Sequence, residues 1–156
     1  MARLKATPRS KAKNAYELLN DVCRVVLDEP KRVHMDAYIT AFQNPGRVAC
    51  EIGDGPACGT VGCIGGWVAI LKRRPHVDLS TTLSISNIAA NLLTDEEGVL
   101  KDIVRYPGSL FSDSLFDKHG DQQDYKYGTR EYARAVVRKI RAFQKRHKAA
   151  LLAKAV

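Results

Sequence analysis

Thr129-Arg130-Glu131-Tyr132-Ala133-Arg134-Ala135-Val136-Val137-Arg138-Lys139-Ile140-Arg141-Ala142-Phe143 is the stretch that decides the fold class. Ala133, Val136, Val137, Ile140 and Phe143 recur at the spacing of one helix face. Arg134, Arg138, Arg141, Lys145 and Lys148 follow one another at helical intervals on the opposite side. An apolar stripe with a polar one across from it is the mark of a helix lying on a core. The spacing predicts one long basic amphipathic helix over residues 129–156.

Upstream, the same period recurs. Asn14 and Glu17 have the residue types of a helix-capping box, and Leu18, Leu19, Val22, Val25 and Val26 follow before Pro30. This predicts a helix over 14–28 with Cys23 as a buried, inert thiol beside its stripe. A short helix is expected over 33–42. A helix over 61–73 is expected with Thr60 as its cap and Trp67 as a core anchor. Another is expected to begin at Ser84. Thr94-Asp95-Glu96-Glu97 reads as a capping box opening a helix over 95–104. Asn44-Pro45-Gly46 and Gly53-Asp54-Gly55-Pro56 are turns set so close that β-structure is at most a small hairpin near residues 47–57. Leu110, Phe111, Leu115 and Phe116 are expected core anchors within an otherwise polar loop. The fold expected is all-α, a single domain of five or six helices. Its parts are a flexible basic arm (1–13), a helical core (14–128) and the C-terminal helix (129–156).

A chain of 156 residues is one ordinary domain, large enough to hold a core without disulfide staples. Its net charge of +8 is unevenly spread. Residues 1–13 carry +5, residues 14–125 carry −6 and residues 126–156 carry +9. Two basic ends on an acidic body predict an anion-facing surface if the ends meet in space. No apolar run is long enough to span a bilayer. The basic start leads into no apolar signal core, so a cytoplasmic protein with reduced thiols is expected.

Cys58-Gly59-Thr60-Val61-Gly62-Cys63-Ile64-Gly65-Gly66-Trp67 spends four glycines in ten residues at an expected helix start. Glycine costs helix stability, so these must admit a close neighbour: a packed helix or a ligand. Thr60, Gly62 and Cys63 are the candidates for binding a phosphate-bearing ligand or nucleotide on the free N–H groups of the first turn. Cys63 is a candidate nucleophile, because a helix N-terminus lowers a thiol's pKa. Cys50, Cys58 and Cys63 with His76 are a candidate zinc set, although their spacing contains no C-x-x-C pair. No cofactor is expected beyond that zinc. Asp117, Asp121 and Asp124 lack the spacing of a calcium loop. No Walker, dinucleotide-binding or zinc-protease motif occurs.

The Cys58-Gly59-Thr60…Cys63-Ile64…Gly66-Trp67 run resembles a segment of small uncharacterised proteins of bacteriophages and some bacteria. His34-Met35-Asp36, Leu92 through Glu97, and Leu110-Phe111 carry the resemblance across roughly residues 32–140. It implies a phage or mobile-element accessory protein made in the host cytoplasm, one that acts by binding and counteracts host defence. With the charge layout, the expected function is non-enzymatic binding of an anionic partner, either nucleic acid or an acidic host protein surface. Arg134, Arg138, Arg141, Lys145 and Lys148 are the binding residues. The alternatives are the small-ligand site at Thr60–Cys63 and a Cys63-dependent enzyme.

Overall fold

Asn14 opens the fold as expected. Its side chain accepts the Glu17 N–H at 2.9 Å, and the Glu17 carboxylate accepts the N–H of Lys13 at 2.7 Å. These bonds satisfy donors that a helix start leaves free. Helix α1 (Ala15–Asp28) follows, burying Leu18, Leu19, Val22, Cys23 and Val26. The computed structural model describes residues 9–35, 40–41, 60–61, 63–72, 82–104 and 108–156, with backbone alone at 40–41, 60–61 and 82–86. Within them lie α2 (Ile64–Lys72), α3 (Thr82–Leu93), α4 (Glu97–Val104), α5 (Arg130–Arg146) and α6 (Lys148–Ala153). The fold is all-α, with six α-helices among the described residues and a 3₁₀ turn at Pro30–Arg32.

Helix α1 is the hub. It packs on α2, α5 and α6. Helix α2 in turn packs on α3, and α3 on α4. Every residue of α2 from Ile64 to Leu71 is buried, including Gly65 and Gly66, so this helix is enclosed on all sides. Trp67 is fully buried, and its indole N–H donates to the Arg32 carbonyl at 2.8 Å. The Arg32 guanidinium lies 5.8 Å from the centre of the same ring.

Several expectations need correction. Thr40 and Ala41 are not helical. They form β1 (Thr40–Ala41), paired antiparallel with β2 (Thr60–Val61), Thr40 facing Val61 and Ala41 facing Thr60. Ahead of them Val33 is extended, and the N–H of Met35 goes to the Tyr132 hydroxyl at 2.9 Å instead of a helical carbonyl. Thr60 is thus a strand residue and does not cap α2. Cys63 takes that place, its carbonyl accepting the first helical N–H from Trp67 at 3.0 Å. The turns at 44–46 and 53–56 and the hairpin expected near 47–57 lie outside the described residues.

Ser84 falls inside α3, which begins at Thr82. Thr94 does not cap α4 directly. Its hydroxyl accepts the Glu96 N–H at 2.9 Å in a tight turn, and the Glu96 carbonyl accepts the first helical N–H, from Leu100. The loop after α4 returns onto it. Leu110 and Phe111 donate backbone N–H groups to the Asp102 and Ile103 carbonyls at 2.8 and 3.0 Å. Leu110, Phe111 and Leu115 are buried as expected, while Phe116 is half-buried.

The C-terminal helix is not continuous. It breaks at His147, between α5 and α6. Two long-range demands stop it. The His147 imidazole bonds the Asp102 carboxylate of α4 at 2.6 Å. The chain beyond α6 must also lie flat against the start of α1. There Ala15 N–H donates to the Lys154 carbonyl at 2.9 Å, Val156 N–H donates to the Lys13 carbonyl at 3.1 Å, and Asn14 bridges Ala155.

Nor is the whole basic arm free. Ser10 N–H donates to the last-turn carbonyl of Leu71 at 2.9 Å, the Ser10 hydroxyl bonds Asp21, and Ala12 is buried. Lys72 Nζ donates to the Ala12 carbonyl at 2.6 Å and to that of Val156 at 3.4 Å. Residues 9–13 and 154–156 therefore meet.

Candidate anion-binding surface

Helix α5 begins at Thr129, whose hydroxyl accepts the Tyr132 N–H at 3.2 Å and donates to the Lys126 carbonyl at 2.7 Å. The buried arc of α5 is Tyr132, Ala133, Ala135, Val136, Ile140, Phe143 and Gln144. That arc fixes the rotation of the helix and turns Arg134, Arg141 and Lys145 outward, where all three are exposed. Lys148 is also exposed, but it starts α6, so helical spacing no longer sets its position relative to the other three.

Arg134, Lys145 and Lys148 have no carboxylate partner among the described residues. Arg141 donates to the neutral side-chain oxygens of Asn20 on α1 and Gln144, the latter at 2.8 Å. The buried Gln144 amide locks this pair, donating to Asn20 Oδ1 at 2.9 Å and to the Tyr16 carbonyl at 3.0 Å. Arg141 is thereby held in place while keeping its charge. Arg146 and Lys154 differ, being ion-paired to Asp102 at 3.3 Å and Asp95 at 2.7 Å.

Arg138 is the stripe residue with a different task. It is half-buried and donates to the Phe116 carbonyl at 3.3 Å and the Tyr125 hydroxyl at 3.0 Å. Its guanidinium carbon lies 5.9 Å from the centre of the Tyr125 ring. Lys139 works beside it. Its ammonium donates to the Ser112 carbonyl at 2.5 Å, the Ser112 hydroxyl at 2.9 Å and the Ser114 carbonyl at 2.8 Å. Burial lowers the pKa of Lys139 from 10.5 to about 8. Together these two residues pin loop 109–128 onto α5. Arg130, exposed one turn before Arg134, extends the outward stripe and was missed by a pattern begun at Arg134.

The other candidate sites come out differently. Cys63 is 1% exposed, and burial pushes its thiol from 9.0 up to about 11. The N–H groups of Gly65 and Gly66 and the charge of Lys139 pull the other way, but burial outweighs them. This is the reverse of the lowered pKa that a nucleophile at a helix start requires. Cys23 is likewise buried and pushed to about 11. Gly62, Cys50, Cys58 and His76 lie outside the described residues. Among the described residues, no group of three His, Cys, Asp or Glu side chains is placed to hold a metal ion. No helix among them is long and apolar enough to cross a membrane.

An open cleft of about 660 Å³ separates Arg9–Ala12 from α1. Arg9, Lys11 and Arg24 line it together with Glu17, Asp21 and Asp28. Equal numbers of cations and carboxylates give it no preference for an anion. On α5, by contrast, Arg130, Arg134, Arg141 and Lys145 form a row of exposed cations with no ion pair to a carboxylate among the described residues. No family model, no curated protein and no solved structure matches the chain.

Proposed function

We propose that this chain is a binding protein that engages an anionic macromolecule through Arg130, Arg134, Arg141 and Lys145 of α5, with Lys148 of α6. The observation that supports this is a row of exposed cations that no carboxylate neutralises among the described residues, on a helix whose other cations, Arg138, Lys139 and Arg146, are tied to a loop or ion-paired. Exposed, unpaired charge on a rigid face attracts counter-charge at long range, whereas paired charge does not. The resemblance of the Cys58–Trp67 run adds a context, that of a phage or mobile-element accessory protein acting on host defence.

The test is fluorescence anisotropy with a labelled oligonucleotide over a salt series. Four phosphate contacts give a slope of log affinity against log salt of about −3 to −4, or a loss of roughly 50- to 150-fold between 50 and 200 mM salt. The quadruple variant Arg134→Gln, Arg141→Gln, Lys145→Gln, Lys148→Gln should bind weakly, with a salt slope reduced to about −1, the share left to Arg130. Salt-independent binding by the unmodified protein, or full affinity in that variant, refutes the proposal.

A further inference from the structure

The basic row does not stop at the start of α5. Just ahead of it, Tyr127 is an aromatic ring left 39% exposed. Three contacts hold it in place. Its hydroxyl donates to the Lys31 carbonyl at 2.8 Å, its ring centre lies 4.4 Å from that of the half-buried His34, and its ring meets Tyr132 edge-on at 6.0 Å. Gly128 at φ +78° then turns the chain into the cap of α5, with Lys31 packed beside it. Lys31, whose carbonyl holds the Tyr127 hydroxyl, and Lys126 and Arg130, near Tyr127 in the chain, are exposed, as are the carboxylates Asp124 and Glu131 on either side.

Building on the anion-binding proposal, we infer that the ligand is a single-stranded nucleic acid whose bases stack on the Tyr127–His34 pair while its phosphates follow Arg130, Arg134, Arg141 and Lys145. Two physical arguments select this class. An acidic peptide gains nothing from a ring face, whose quadrupole is negative, whereas every nucleobase stacks on one. In a duplex the bases are already stacked on one another and cannot reach a ring on a protein surface. The sixteen residues from Arg130 to Lys145 span about 22 Å of helix. With the aromatic pair at one end, this joins a charged track to a stacking platform, the combination that sequence-tolerant single-strand binding uses over about 4 nucleotides or more. Because the ring is already fixed by three contacts, little order is lost when a base settles on it.

The test compares labelled 12-nucleotide oligothymidylate, oligouridylate and a 12-base-pair DNA duplex at one salt concentration. The expected result is at least tenfold tighter binding of a single strand than of the duplex. The ratio between the two single strands tells DNA from RNA as the ligand. Tyr127→Leu should lose about tenfold on the single strand and under twofold on the duplex. Tyr127→Phe, which keeps the ring and drops only the hydroxyl, should bind like the unmodified protein. Equal or tighter duplex binding overturns the inference, as does a folded Tyr127→Leu variant with full single-strand affinity. In both cases the anion-binding proposal survives if the quadruple stripe variant still loses binding. If that variant binds fully, both fall. A second measurement needs no variant. Photocrosslinking of a 4-thiouridine oligonucleotide to the unmodified protein should place adducts on the peptides carrying Tyr127 or His34. Adducts only elsewhere overturn the inference.

Discussion

Three buried titrating groups predict an unusual dependence of stability on pH. The burial that lowers Lys139 from 10.5 to about 8 stabilises the neutral amine, so below pH 8 the folded chain bears the full cost of a desolvated ammonium. As pH rises from 8 toward 10.5 the folded state releases this proton before the unfolded state does, and stability rises. Between pH 8 and 9 Lys139 by itself leaves the unfolded chain with about three-quarters of a proton more on average, about 1 kcal/mol at about 1.36 kcal/mol per proton and pH unit, and the two buried thiols take back roughly two-thirds of that. Cys23 and Cys63 act with the opposite sign. Raised from 9.0 to about 11, they keep their protons in the fold after the unfolded chain has lost them. By pH 10 the two thiols outweigh Lys139 by about one proton, and stability falls between pH 9 and 10 by an amount on the order of 1 kcal/mol. A maximum near pH 9 results. Urea unfolding under a phosphine reductant, followed by the fluorescence of the single buried Trp67, measures it. Titrations elsewhere in the chain cancel in the difference between the unmodified protein and Lys139→Met. In that variant the oxygens of Ser112 and Ser114 lose their donor, at about 2 kcal/mol, while the cost of the desolvated ammonium is removed, so the change of stability with pH is the readout. It should also lose the rise between pH 8 and 9. A rise that persists in Lys139→Met refutes the assignment, and so does a profile of that variant that runs parallel to that of the unmodified protein between pH 8 and 9.

Other outcomes follow from single contacts. Arg138→Gln should cost about 1–2 kcal/mol by releasing loop 109–128, while Arg134→Gln stays within about 0.5 kcal/mol. Oligonucleotide affinity should show the opposite order, and urea midpoints and anisotropy on the same preparations decide. Asp102 is held below the ordinary carboxyl range first by the bond from His147 and then by the charge of Arg146. The stability it contributes is present above about pH 4 and is lost as pH falls below it, so Asp102→Asn should flatten the stability profile between pH 5 and 3. An unchanged acid limb contradicts this. Peptide mapping after iodoacetamide treatment at pH 7.5 should find Cys63 unmodified until denaturant is added, and rapid labelling in the native state would argue against its burial.

What was legible in the sequence was local. Asn14 and Glu17 announce α1 because both bonds of the cap lie within four residues. The apolar arc of α5 announces itself because burial follows a single period. What was not legible came from distant partners. Thr60 looks like a cap until it pairs with Ala41. His147 looks helical until Asp102 and the α1 start claim the chain around it. Arg138 and Arg134 are alike in spacing, and only the position of Tyr125 and the Phe116 carbonyl gives one a structural task and leaves the other free. The surface was therefore foreseeable as a stripe, but not which of its members carry free charge. The aromatic pair at its end needed a contact between His34 and Tyr127, which are far apart in the chain.

The pairing of residues 13–15 with 154–156 has a mechanical consequence. The two segments run antiparallel, so Lys13 and Val156 sit at the same end of the pair. A pull on the two ends of the chain would load these hydrogen bonds one after another, as in a zipper, instead of all at once. The clasp should open under small force, and α6 would be the first helix to lift away from α1.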